Sequence, residues 1–148
     1  MIKRVTKFLV IAAFTFGVGF AITSLPSNAS ARTIPTGMRH NWYQNFTHTK
    51  LSDSSFIKLR ATSIDSGTKQ FHSKVTKSNL QVIKKTGGWY QIGAKGIANP
   101  AYKLKKLKIA GKYRVVLLKR YSTKSHYADV FVRSNVKLPL SQSDYFLG

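Results

Sequence analysis

The sequence predicts an all-β domain, a small antiparallel barrel or sandwich of about eight strands behind an N-terminal export helix. Three observations predict it. Trp, Tyr, Phe, Val, Ile and Thr cluster in short runs. Turn residues separate those runs at regular intervals. Several runs alternate apolar with polar side chains, the period of a strand with one face buried.

The first 31 residues stand apart. Lys3, Arg4 and Lys7 are followed by the uncharged run FLVIAAFTFGVGFAI at 8–22, then by a polar stretch holding Pro26 and by Ala29-Ser30-Ala31. A charged start, an apolar middle and an exit of small residues form the layout of a secretory signal peptide, with Ala29 and Ala31 as the cleavage motif. The apolar run is shorter than the ~20 residues a membrane span requires. The expected division is therefore a leader at 1–31 and one basic β-domain at 32–148, with no transmembrane segment once the leader is removed. The expected location is extracellular or at the wall of a Gram-positive cell. The chain has no cysteine, so neither a disulfide nor a lipidated cysteine is available. A secreted domain of this kind relies on its own core and is more typical of bacteria.

Charge is the second constraint. There are 25 Lys and Arg against 4 acids, a formal net charge of +21. Removing Lys3, Arg4 and Lys7 with the leader lowers it by only three. The acids are Asp53, Asp65, Asp129 and Asp144, and there is no Glu. Such a bias favours polyanionic partners. Outside a bacterial cell the expected partner is anionic wall polymer, teichoic acid above all, with nucleic acid the less favoured polyanion. Solubility or non-specific retention accounts for the same charge. The oligomeric state is not legible.

The predicted strands are 40–46, 56–64, 68–75, 79–86, 89–94, 102–109, 112–121 and 126–133. In the second, Ile57, Leu59 and Ala61 share one face and Lys58 and Arg60 the other. In 102–109 the phase slips: Tyr102 and Leu104 fit one alternation, Leu107 and Ile109 the next. A bulge at Lys105-Lys106, or a short helix, would bring all four to one side. Gly111 reads as a tight hairpin turn, as does Gly87-Gly88. Residues 97–100 form a loop. The tail beyond Val136 either packs across the barrel or stays loose.

Chemistry is not indicated. Four scattered aspartates propose no facing carboxylate pair, and Asp53 and Asp65 sit in turn-like contexts. His40, His48, His72 and His126 form no recognised metal pair. No cofactor, metal or catalytic residue is expected.

Three features rise above this background. In the segment 34–43 a Pro-Thr-Gly turn feeds Trp42 and Tyr43 at the head of the first strand, where an indole can plug one end of a small barrel. Through Ile34, Pro35, Met38, Arg39, Trp42 and Tyr43 it resembles small secreted proteins common in lactobacilli, which open with I-P-x-x-[LM]-R-x-x-W-Y. That group has no established activity, and it commonly shows G-T where this chain has His40-Asn41. The same opening resembles the lipocalin G-x-W signature, with His40 in place of the glycine. That resemblance implies an eight-stranded barrel, an arginine from a late strand (Arg120 or Arg133) over the tryptophan, and an extracellular carrier of a small apolar ligand as the alternative function. If the barrel is small enough, side chains fill it.

The second feature, Gly88-Trp89-Tyr90-Gln91-Ile92, is similar to the G-W-Y-x-[IV] strand of bacterial SH3-like domains that bind wall peptides, but the second G-W-[VI] strand is missing. Trp89 and Tyr90 point to opposite faces of a strand, so one enters the core and the other is free to offer a stacking surface.

The third is the basic run 103–120, with Lys103, Lys105, Lys106, Lys108, Lys112, Arg114, Lys119 and Arg120 and no acid. In a hairpin much of this charge shares one sheet surface. It serves either as a polyanion-binding face or as protection of a sheet edge against wrong pairing.

Overall fold

The computed structural model describes residues 33–148 together with the backbone of 30–31. It is all-β. The predicted leader lies outside the described residues except for its last two. There Ser30–Ala31 forms a short strand, β1, antiparallel to β6, with Ala31 opposite Val82. Scission after Ala31 would remove β1 and leave β6 as the sheet edge. No helix of the described residues is long and apolar enough to cross a membrane.

The remaining strands are β2 (Asn41–Tyr43), β3 (Phe56–Arg60), β4 (Ser63–Gly67), β5 (His72–Thr76), β6 (Leu80–Lys84), β7 (Tyr90–Ala94), β8 (Ala101–Ile109), β9 (Lys112–Arg120), β10 (Tyr127–Phe131) and β11 (Asp144–Phe146). They form a four-stranded sheet ordered β2-β3-β4-β5 and a seven-stranded sheet ordered β1-β6-β7-β8-β9-β10-β11. Chain neighbours are sheet neighbours from β2 to β5 and again from β6 to β11, as in an up-and-down meander. One seam between the sheets is tied: Tyr43 and Val132 exchange both backbone hydrogen bonds, at 2.7 and 2.8 Å. The described residues form two sheets joined along this seam, not one closed ladder.

Trp42 explains the local structure at the start. A 3-10 turn at Thr36–Met38 precedes β2, and its Met38 is buried in the same cluster as Trp42. The indole enters the interior with none of its surface exposed. Its Nε1–H donates to Met38 O at 2.9 Å, so burying this donor leaves nothing unpaired. Around it pack Ile34, Ile57, Leu59, Ile92, Tyr102, Leu117 and Phe131.

A second core lies on the other face of the large sheet. Val116, Leu118, Ala128 and Val130 point there, alternating with Leu117 and Phe131 of the first core. The tail covers it: Val136 and Leu138 are buried, and Tyr145 and Leu147 pack beside them. Asn45 pins this crossing. Its Nδ2 donates to Ser134 O at 3.1 Å and Val136 O at 2.9 Å, while its Oδ1 accepts from Lys137 Nζ at 3.0 Å.

The two cores account for the phase slip in β8. Neither a bulge nor a helix is present; Ala101 to Ile109 pair in unbroken register with Arg120 to Lys112. Tyr102 and Leu104 face the inter-sheet core, and Leu107 and Ile109 face the outer one. The strand changes the face it buries along its length, so its hydrophobic pattern shifts by one residue without any backbone irregularity.

The predicted strand 56–64 is two strands. Chain reversal at Ala61-Thr62, which lacks Gly and Pro, separates β3 from β4, and Arg60 pairs with Ser63. Ile57 and Leu59 are buried as expected, while Ala61 belongs to the turn. The Gly111 turn is present: Ala110 and Gly111 both have positive φ, +48° and +84°, as a two-residue type I′ hairpin requires.

Candidate functional site

Strand alternation divides the basic hairpin. Lys103, Lys105, Lys112, Arg114 and Arg120 lie on the outer face of β8–β9, whereas Lys106, Lys108 and Lys119 lie on the opposite face. The expectation of one shared surface holds for the first five. Lys106 and Lys108 are exposed beside Tyr113 and Val115, where the hairpin extends past the inter-sheet core. Lys119 is different: it sits across from Tyr102 beside a cavity lined by β4, β5, β7 and residues 97–100, and burial pulls its pKa down against the opposing pull of Asp129. Burial also pushes the Tyr102 phenol well up.

On the outer face three of the five cations lie over rings. Arg120 is 4.2 Å and Lys103 5.9 Å from the centre of Trp89, and Lys105 is 5.1 Å from that of Tyr145. A guanidinium over an indole is held without a carboxylate and keeps its charge for other partners. The Nε–H groups of Arg114 and Arg120 are buried with no hydrogen-bond partner. Such donors are commonly satisfied by water or an anion.

Three of the four aromatic candidates are packing residues, and the side chain of Tyr43 lines a cleft with Asp65 and His72. Trp42 is fully enclosed, and Trp89 belongs to the outer core. Tyr90 packs half-buried against the inter-sheet core, so Trp89 and Tyr90 do take opposite faces, and both are used for packing. Tyr43 makes the seam pairing with Val132.

A second basic site emerges only in three dimensions. Arg39 and His40 just before β2, Asn41 at its start, Arg60 at the end of β3 and Arg133 after β10 line one open concavity of about 590 Å³. Each arginine is held by a neutral group. Arg39 Nε donates to Ile34 O at 2.8 Å. Arg60 donates to Leu59 O at 2.8 Å and to Asn41 Oδ1 at 2.7 Å. Arg133 lies 4.4 Å from the centre of the Trp42 ring. No acid lines the concavity. The His40 pKa is lowered by burial first, then by Arg133 and Arg60. Sequence reading singled out Arg39 and Arg133 separately, but nothing in the chain joined them to Arg60.

A third group lies on the small sheet. His72 Nδ1 and Asp65 Oδ1 are 2.8 Å apart in a cleft of about 470 Å³ shared with Ser52, Ser54, Lys58 and Lys69. A carboxylate orienting an imidazole is one half of an acid–base device. Among the described residues no hydroxyl hydrogen-bonds the other ring nitrogen. No group of three His, Cys, Asp or Glu that could hold a metal occurs among the described residues.

No family model matches the chain, and no curated protein or solved structure matches it either. The fold and the sites define an all-β protein with a basic surface, and function is argued from those sites alone.

Proposed function

We propose that this is a secreted, envelope-associated β-protein that binds anionic wall polymer, with teichoic acid as its ligand. One observation carries the reading. Among the described residues Asp65–His72 is the only ion pair, and no lysine or arginine is paired with a carboxylate. Several of the cations rest instead on aromatic rings or carbonyl oxygens. The basic excess of the described residues is therefore left without internal neutralisation, which suits a polyanion ligand. The leader-like first 31 residues supply the location.

The lipocalin-like carrier is the alternative reading. Arg133 over Trp42 favours it as architecture. The interior weighs against it as function: Trp42, Tyr102, Leu117 and their neighbours fill the space between the sheets. The cavity beside Lys119 measures about 200 Å³, below the ~300 Å³ at which ligand pockets usually begin.

The test is affinity for purified teichoic acid across a salt series. Displacement of bound counterions makes affinity fall steeply with salt, by ~10³–10⁵ between 50 and 200 mM when 6–10 phosphates are engaged on a duplex nucleic acid, and in the same direction for this polymer. Salt-insensitive affinity, or none, rejects the reading. Substituting Lys106 and Lys108 by Gln should weaken binding and flatten the salt slope.

A further inference from the structure

Arg39, Arg60 and Arg133 belong to segments far apart in sequence, yet they line one concavity with His40 and Asn41. We propose that this concavity is a discrete binding site for a phosphoryl group. The inference goes beyond retention by polymer charge, because it requires fixed geometry at one place and not a diffuse basic surface.

Three features of the site lead there. First, the guanidinium groups are oriented before any ligand arrives. Arg39 is tethered through Nε alone, which leaves both terminal nitrogens without a hydrogen bond among the described residues. Arg60 is fixed by Leu59 O and Asn41 Oδ1, and Arg133 by the face of Trp42. Fixing a fork in advance reduces the ordering cost of binding. Second, three like charges share the site with no acid on its lining. Their mutual repulsion is relieved by an anion. Third, a phosphoryl group offers several oxygens in tetrahedral array and accepts planar forks from different directions, whereas one carboxylate presents a single plane. His40 stands beside Arg133 and Arg60 and supplies a further donor when protonated.

The chemistry has two sources, a terminal phosphomonoester or the phosphodiester link of a polymer. The test uses the purified protein at constant ionic strength, with imidazole resonances followed by NMR as inorganic phosphate, glycerol 3-phosphate or dimethyl phosphate replaces chloride. Saturable binding should raise the His40 pKa while His48, His72 and His126 respond as they do to chloride. Arg60→Gln should weaken the His40 response ~10-fold, since it removes one charge-assisted donor group. Arg39→Gln serves if that variant does not fold. Gln at both Lys106 and Lys108 should leave the response unchanged. Tighter binding of glycerol 3-phosphate assigns the site to a terminal phosphate, and equal or tighter binding of dimethyl phosphate assigns it to polymer links. A His40 that ignores all three probes, or that responds in Arg60→Gln and Arg39→Gln as it does in the wild type, overturns the site. That result leaves polymer binding by the hairpin standing, just as loss of polymer binding leaves this site standing.

Discussion

Arg133 covers the buried Trp42 ring from 4.4 Å, and the same indole donates its N–H to Met38 O. The pair closes one end of the space between the sheets and places a charged group at the surface directly above the core. Arg133→Ala should cost about 1–2 kcal/mol through lost stacking and stem packing. Denaturant unfolding checks the loss. Trp42→Ala should cost more, about 3–5 kcal/mol, because it opens a cavity.

The same arginine predicts a pH effect. Burial, Arg133 and Arg60 hold the His40 pKa below its ordinary value. The unfolded chain therefore takes up this proton more readily. The stability from keeping His40 neutral is present above about pH 6.5 and is lost as pH falls through the folded value. Removing Arg133 should raise the folded pKa and flatten this dependence. Stability measured from pH 7.5 down to pH 5, wild type against Arg133→Ala, gives the comparison.

Asn45 ties the tail to the fold through Ser134 O, Val136 O and Lys137 Nζ. Asn45→Ala leaves those carbonyls unpaired and should cost about 1–3 kcal/mol. Hydrogen exchange should accelerate at Leu138, whose N–H bonds to Asn45 O.

At Gly93 the place of a Cβ is already taken by the Asn99 side chain. Asn99 in turn donates to Ala94 O and Ile97 O and holds the loop after β7. Gly93→Ala should destabilise by about 1–3 kcal/mol through overpacking, and Gly93→Ala combined with Asn99→Gly should cost less than the sum of the two. A double-mutant cycle measures this.

Ala110 takes a positive φ that only Gly and Asn adopt readily. Ala110→Asn should stabilise the β8–β9 hairpin by about 0.5–1 kcal/mol, visible as a higher Tm.

Strand content was legible because most strands here bury one face and alternate accordingly, as Ile57 and Leu59 show against Lys58 and Arg60. β8 was legible as a strand but not as a regular one, because a single sequence does not reveal that its two halves serve different cores. The β3–β4 turn was hidden because Ala61-Thr62 carries no turn residue. β11 was hidden because three residues, Asp144 to Phe146, give too short a pattern. The basic hairpin was visible as a run in the chain. The arginine concavity was not, because its members come from residues 39–41, 60 and 133, and only tertiary packing joins them. The choice between Arg120 and Arg133 as the cover for Trp42 also needed the fold: Arg133 covers Trp42, and Arg120 covers Trp89.

The most direct test of the central claim is co-sedimentation of the purified protein with isolated Gram-positive walls, with and without their teichoic acid, across a salt series. Binding should fall steeply with salt and disappear from stripped walls. Binding that survives both treatments, or no binding at any salt, would contradict that claim.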